Sequence, residues 1–113
     1  MKLKIHNPSN LPTIDYRKLI PLQGELKNWT TGQKEKLKES FEKYGFTFPF
    51  FVWLNPDDQK HYIVDGHGRH RFLTEENCTP YKFPYVLVPA ESKKQAAEKL
   101  LINTSKFQFI TDD

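Results

Sequence analysis

Two spacings of apolar residues divide the chain into helices and strands. Residues 31–44 have helical spacing and predict a helix whose buried face contains Leu37, Phe41 and Tyr44. A second helix is predicted from about 92 to 105, with this apolar face: Ala96, Ala97, Leu100 and Leu101. Both begin with the pattern of a capping box (Thr30 with Gln33, Ser92 with Gln95), in which side chains satisfy the first amides of the helix.

Short continuous apolar runs predict three strands, at residues 50–54, 61–64 and 85–88. The polar turn at residues 55–60 separates the first two, so we expect a hairpin. A helix-compatible segment follows the second strand and extends to about Asn77. This order of elements predicts an α+β fold, a small mixed β-sheet with helices packed on it.

The length of 113 residues suits one domain. Residues 1–13 are turn-rich and are expected to form an irregular N-terminal arm. We assign residues 14–107 to the domain and 108–113 to a tail or the start of a linker to a further domain. No apolar run has the length of a membrane span or a signal peptide, so we expect a cytoplasmic protein without a membrane partner.

The net charge and the cysteine content exclude only a few of the possible functions. The formal charge of +3, from 17 basic and 14 acidic residues, permits nucleotide or nucleic-acid binding without requiring either. The single cysteine, Cys78, excludes a disulfide within the chain. It has no obvious activating partner in the sequence, which favours a structural thiol.

The most informative segment is DGHGRHR at residues 65–71, which lies between a predicted strand and a predicted helix. Its glycines let the backbone approach a ligand, and its arginines and histidines are donors that suit phosphate. A glycine turn at a helix start rich in cations is typical of an anion-binding site. The predicted phosphate-binding residues are Asp65, Gly66, His67, Gly68, Arg69, His70 and Arg71.

Two other interpretations of this segment compete with phosphate binding. In the first interpretation, the segment is a simple solvated turn, but five functional side chains in seven positions exceed what a turn needs. In the second, Asp65, His67 and His70 bind a metal directly, but the adjacent arginines would repel a divalent cation. We therefore predict no metal site from the protein alone, and expect Asp65 to help hold a Mg²⁺ that arrives with a nucleotide.

Three segments in order resemble the ParB/sulfiredoxin superfamily. Residues 19–23 (LIPLQ) lead into the helix that ends at Gly45, and residues 45–49 (GFTFP) are similar to the family's Gly-x-x-x-Pro before a strand. Residues 65–69 (DGHGR) are similar to the family's boxed turn. The resemblance covers about residues 14–107 and implies a ParB/sulfiredoxin-like fold. It also implies phosphate binding by Gly66, His67, Gly68 and Arg69.

Departures from the family pattern limit which activities the resemblance implies. His67 occupies the position of the sulfiredoxin cysteine, so we do not expect sulfinic-acid reductase activity. Ile102 replaces the metal-binding Glu of the third ParB box, which argues against a ParB-type CTP clamp. The free serine kinase branch has a similar Asp-Gly-His-Thr-Arg box. It implies Glu25 as a candidate catalytic base, with His67 as acid or base.

The leading hypothesis is a nucleotide-binding ParB-like domain, for a nucleotide of ATP or CTP type with Mg²⁺, in a DNA-modification or DNA-handling protein. The box and the Leu-Leu run near residue 100 resemble phage and mobile-element domains that are nuclease-like or fused to DNA methyltransferases. One alternative is a DNA-binding or nuclease module, whose basic residues would be Lys93, Lys94, Lys99 and Lys106. The other is a small-molecule, serine-type kinase. NTPase, nuclease and kinase activity all stay open.

Overall fold

A computed structural model describes residues 1–22 and 30–105 of the chain. Within these residues the chain forms three helices and a five-stranded sheet. The strands are β1 (Thr13–Asp15), β2 (Ile20–Pro21), β3 (Phe50–Leu54), β4 (His61–Asp65) and β5 (Lys82–Leu87). The helices are α1 (Thr31–Tyr44), α2 (His67–Glu75) and α3 (Lys93–Ser105), and a single 3-10 turn (Tyr16–Lys18) follows β1.

The sheet is mixed and its strand order is β1-β5-β3-β4-β2. β3 pairs antiparallel with β4, which confirms the predicted hairpin, and β1 pairs antiparallel with β5. β5 runs parallel to β3, and β2 runs parallel to β4. The predicted α+β fold with a small mixed sheet is therefore confirmed.

Local capping signals at α1 are confirmed in atomic detail. The Thr30 hydroxyl accepts a hydrogen bond from the Gln33 amide (3.1 Å), and the Gln33 side chain accepts one from the Thr30 amide (2.9 Å). The prediction for Tyr44 is wrong, because its ring is 57% exposed. The helix ends at this residue, and Phe46, two positions later, occupies the core instead (0% exposed).

The limits of β5 differ from the predicted strand at residues 85–88. The strand begins at Lys82 and includes Pro84, which stands opposite Thr13 of β1. Proline cannot donate a ladder hydrogen bond, which is why the pattern placed the strand start after it. β1 is only three residues long, so the proline lies where the pairing with β1 ends.

The core has two parts, one on each face of the sheet. The larger part contains side chains of α1, α2 and the sheet, with Phe41, Phe72 and Ile63 among them. The smaller part packs α3 against Trp53, Tyr62 and Val64 through Ala96. Alternating residues of β4 thus serve opposite faces, and α2 and α3 lie on different sides of the sheet.

The N-terminal arm contributes to the larger core. Leu3 is buried (5% exposed), and isolated bridges join Lys2 to Thr79 and Ile5 to Phe46. Cys78 is fully buried in the same core, and burial raises the pKa of its thiol. These features support a structural role for Cys78. The division of the chain at residues 13 and 107 stays a prediction.

Candidate functional site

The glycine segment forms the connection between β4 and α2. Gly66 precedes α2 with φ of 106°, a conformation that L side chains rarely adopt. A Cβ atom at this position would lie 2.8 Å from Phe50 Cδ1 and 3.0 Å from Arg69 Nη2. Both its conformation and its surroundings therefore require glycine. Gly68, by contrast, lies inside the first turn of α2.

Helix α2 begins without a side-chain cap. The amide of His70 bonds to the Gly66 carbonyl (2.9 Å), as the helical pattern requires. The amides of residues 67–69 precede that bond, so no carbonyl four residues back within the helix can accept from them. Gly66 has no side chain to accept these bonds either. The start of α2 therefore presents several N–H donors and the positive end of the helix dipole.

A cavity of about 420 Å³ lies beside this helix start. Three of the predicted site residues line it, namely Asp65, Gly66 and Arg69. Its other walls come from α1, from the loop that follows α1 and from β3: Leu37, Ser40, Phe41, Gly45, Thr47, Phe48, Pro49 and Phe51. The structure thus brings the family-like 45–49 segment and the glycine segment to one place.

Arg69 holds the loop that forms one wall of this cavity. Its guanidinium donates to the carbonyls of Phe48 (2.5 Å) and Pro49 (3.3 Å). The same group lies 4.8 Å from the ring centroid of Phe46 and 5.1 Å from that of Phe50. Burial lowers the pKa of Arg69, but an arginine stays charged at neutral pH. Arg69 therefore brings a partly buried cation to the edge of the cavity and holds the loop there.

The two histidines differ from the expectation of a cationic segment. His70 Nε2 lies 2.8 Å from the Tyr16 carbonyl oxygen, so Nε2 carries the proton and donates. His67 Nε2 is buried and has no hydrogen-bond partner within the described residues. Burial lowers the pKa of both rings below the usual 6.5. Both are consequently neutral at pH 7, and the positive charge of the segment comes from its arginines.

Arg71 takes part in an ion-pair network on the surface. Its Nε donates to Glu75 Oε2 (3.0 Å), and Lys34 of α1 pairs with Glu75 (3.2 Å) and Glu76 (2.8 Å). Arg71, His67 and His70 do not line the 420 Å³ cavity within the part of the chain that is described. The structure therefore divides the seven predicted residues between the cavity and its surroundings.

The other predicted site residues lie apart from the glycine segment or outside the described residues. Glu25 and Lys106 fall outside residues 1–22 and 30–105. Lys93 and Lys94 are exposed on α3, and Lys93 Nζ lies 4.9 Å from the Tyr62 ring. Lys99 donates to the Pro89 carbonyl. The lysines of α3 thus belong to the opposite side of the sheet from α2.

Sequence reasoning missed the apolar wall of the cavity. Phe48 is 73% exposed and Phe51 is 39% exposed, although both lie in a strongly apolar run. The alternation within β3, where Phe50 and Val52 are buried and Phe51 is not, was the sequence signal that could have predicted this wall.

Among the described residues no group of three or more His, Cys, Asp or Glu side chains is placed to hold a metal. None of the described helices is both long enough and apolar enough to cross a membrane.

Comparisons with known proteins support the fold. No protein-family model matches the sequence, and no curated protein matches it. Among solved structures, the chain is similar to the C-terminally truncated chromosome-partitioning protein ParB from Caulobacter crescentus complexed with CTP-γ-S. The TM-score is 0.63 at 18% identity, over 83% of this chain and 52% of that one. A complex of the same truncated protein with the centromeric parS site gives a TM-score of 0.55 at 17% identity, over 76% and 42%.

A free serine kinase in complex with AMP is also similar, with a TM-score of 0.53 at 21% identity, over 76% of this chain and 33% of the kinase. The chain therefore has a ParB-like fold, as the sequence resemblance implies. It spans about half of the truncated ParB or less, and a third of the kinase.

Proposed function

We propose that this chain is a nucleotide-binding, ParB-like domain of a DNA-handling protein, and that it binds nucleotide phosphates at the start of α2. The observation that carries the proposal is the uncapped helix start at Gly66, which opens on a cavity lined by Arg69 and Asp65. Structures of the same fold with CTP-γ-S and with AMP support it.

The amides of residues 67–69 would donate to phosphate oxygens, and the helix dipole would favour their negative charge. Gly66 leaves room for a phosphate to approach the backbone closely, since it has no Cβ. The cavity of about 420 Å³ has the size of a small-molecule site. Its apolar wall, with Phe48 and Phe51, offers a surface for the base or the ribose.

A magnesium ion fits this site only as a companion of the nucleotide. Asp65 is exposed at the end of β4 and lines the cavity. Mg²⁺ is commonly held by one or two carboxylates together with phosphate oxygens and water. Asp65 would be the protein ligand, and the ion would neutralise phosphate charge when bound.

His67 follows Gly66 but does not line the cavity, and it is the candidate acid or base through the resemblance to the kinase branch. Its ring is neutral at pH 7, and its buried Nε2 lacks a partner among the described residues. A buried polar atom without a partner costs roughly 1–3 kcal/mol, so contact with a ligand group would relieve a real penalty.

Calorimetric titration with CTP, ATP, GTP and ADP, each with Mg²⁺, tests the proposal. We expect heat with at least one nucleotide and loss of that heat on Arg69→Ala. The matched control is Arg17→Ala, because Arg17 is an exposed arginine that pairs with Asp15 and does not line the cavity. Absence of heat with all four nucleotides would reject phosphate binding.

Three finer functions are separate proposals with their own tests. The kinase alternative is favoured by the similarity to the AMP-bound serine kinase, and it requires phosphate transfer to an added hydroxyl substrate that depends on Glu25. The DNA alternative is favoured by the similarity to the parS complex. It requires a salt-dependent gel shift that weakens when Lys93→Gln and Lys94→Gln are combined.

A role in phage-type DNA modification beside a methyltransferase rests on sequence resemblance, and co-purification with such an enzyme would test it.

A further inference from the structure

A second cleft lies beside the candidate nucleotide cavity, between the N-terminal arm and the end of α1. Its volume is about 680 Å³. Phe41 and Gly45 line both this cleft and the 420 Å³ cavity, so the two are neighbours. The proposed nucleotide site does not use the cleft, and its side chains need a separate explanation.

The arm presents a row of basic side chains to this cleft. Lys2, Lys4 and His6 line it and are exposed, while Leu3 between them is buried. This alternation is that of an extended chain, in which side chains on the same side are about 6.6 Å apart. Such a row can follow the phosphates of an extended nucleic-acid strand.

Backbone contacts fix the arm in this position. The Phe46 amide donates to the Lys4 carbonyl (2.8 Å), and the His6 amide donates to the Phe46 carbonyl (2.9 Å). A Cβ at Gly45 would lie 2.5 Å from the Lys4 carbonyl oxygen, so the arm packs directly on the glycine backbone. The basic row is therefore part of the fold.

The opposite wall adds a further cation and an exposed aromatic ring. Lys43 and Tyr44 line the cleft, and Lys43 Nζ lies 5.2 Å from the Tyr44 ring centroid. The Tyr44 side chain is 57% exposed although it is a large aromatic group. Three lysines face one acidic lining residue, Glu42, which leaves the cleft positively charged.

We propose that this cleft binds single-stranded nucleic acid, with the lysines on the phosphates and a base stacked on Tyr44. A positive groove with accessible aromatic rings is the usual combination in proteins that bind single strands without sequence preference. A base paired within a duplex cannot stack on a side chain in this way, which is why a single strand fits the cleft better.

Fluorescence anisotropy with labelled oligothymidylate and oligouridylate of about 12 nucleotides at about 50 mM salt tests this proposal. We expect binding to at least one of them, and binding of either sugar supports the proposal. Combined substitution K2Q/K4Q/K43Q is expected to weaken binding at least tenfold. It should also make the plot of log affinity against log salt shallower by about 2, since each phosphate contact of a single strand contributes about 0.7.

The matched control is K36Q/K60Q/K82Q, which removes the same charge from exposed lysines elsewhere and is expected to retain most of the affinity. Tyr44→Ala should weaken binding about tenfold, while Tyr44→Phe retains the stacking surface and most of the affinity. Thermal unfolding confirms that each variant is folded. Calorimetric nucleotide binding should be unchanged in the cleft variants, which separates this proposal from the nucleotide site.

Three results would overturn the proposal. They are no binding of either oligonucleotide by the unmodified protein, equal weakening by the two triple substitutions, and a duplex of the same length bound as tightly as the single strand.

Discussion

Helices α1 and α2 both contribute residues to the wall of the candidate cavity, but the first amides of the two helices are paired differently. α1 begins at Thr30, whose hydroxyl and amide are both paired with Gln33. α2 begins at Gly66, which has no side chain and adopts a left-handed conformation. The first arrangement satisfies the helix internally, whereas the second leaves its donors for another group.

The two helix starts are therefore held in place by different kinds of contact. At α1, stability and shape come from residues that are neighbours in sequence. At α2, the turn is held by distant residues, because Phe50 packs against Gly66 and Arg69 reaches the carbonyls of Phe48 and Pro49. The donors of α2 thus lie in a turn held by distant contacts, which is the arrangement that the proposed anion site needs.

The largest expected effect comes from adding a methyl group at Gly66 of α2, and the matched change is a methyl group at Gly32 of α1. Gly66→Ala forces a left-handed alanine against Phe50 Cδ1 at 2.8 Å, and we expect a loss of about 3 kcal/mol in the free energy of unfolding. Gly32→Ala in the first turn of α1 meets only Thr30 Oγ1 at 3.8 Å. It should stay within about 1 kcal/mol of the unmodified protein, on the stabilising side. Urea unfolding measures both, and equal losses would contradict the comparison.

The contribution of Arg69 is the next largest. Arg69→Ala leaves the Phe48 and Pro49 carbonyls without their donor and removes contacts with two rings, so we expect a loss of about 2 kcal/mol. Arg69→Lys keeps the charge but cannot reproduce the two-pronged geometry, and should lie between alanine and arginine. Urea unfolding and nucleotide calorimetry on both variants check this. A lysine variant as stable as the unmodified protein would show that charge alone suffices.

The neutral histidines of α2 predict a pH dependence that α1 lacks, since α1 contains no histidine. Burial, the main cause, lowers the pKa of His67 and His70 in the folded chain below the unfolded value of 6.5. The unfolded chain therefore binds more protons below that pH. Stability is fully present above about pH 6.5 and falls as the pH drops below it, by at most about 1.4 kcal/mol per pH unit for each histidine.

Thermal unfolding between about pH 7.5 and pH 5 measures this dependence. His67→Gln and His70→Gln should each flatten the curve in that range. The carboxylate of Asp15 is an internal check, because its hydrogen bond with Arg17 holds its pKa at about 2. Its contribution is lost only below the ordinary value of 3.8, outside the histidine range. A curve that both histidine variants leave unchanged would contradict the burial argument.

The contrast between the local contacts at the start of α1 and the distant contacts at the start of α2 also explains how much of the fold the sequence predicts. The ends of α1 depend on Thr30, Gln33 and Gly45, which act within one helical turn, and the structure confirms both ends. The β3–β4 hairpin also follows from adjacent segments. Pairing of β1 with β5 joins residues about seventy positions apart, such as Ile14 and Phe83, and no local pattern specifies it.

The sequence indicated residues 65–71 as the candidate site, and the structure shows that three of them, Asp65, Gly66 and Arg69, line the cavity. The sequence predicted a helix after the glycine segment, and α2 does begin directly after Gly66. The contacts of Arg69 with Phe48 and Pro49 depend on a loop about twenty residues away. The neutral state of His67 and His70 depends on burial, which a list of basic residues does not reveal.

The smallest expected effect tests whether an open helix start is sufficient for anion binding. Thr30→Ala removes the hydroxyl that accepts from the Gln33 amide, and we expect a loss of about 1 kcal/mol in urea unfolding. The substitution makes the start of α1 resemble that of α2, because it leaves a helix amide without its cap. It supplies no partly buried arginine like Arg69 beside that amide. Titration with pyrophosphate, followed by amide NMR shifts, should therefore perturb residues 66–69 and leave residues 30–33 unperturbed even in this variant. If α1 of Thr30→Ala bound pyrophosphate as tightly as α2 does, an open helix start would suffice, and the cavity and Arg69 would not be what distinguishes the two.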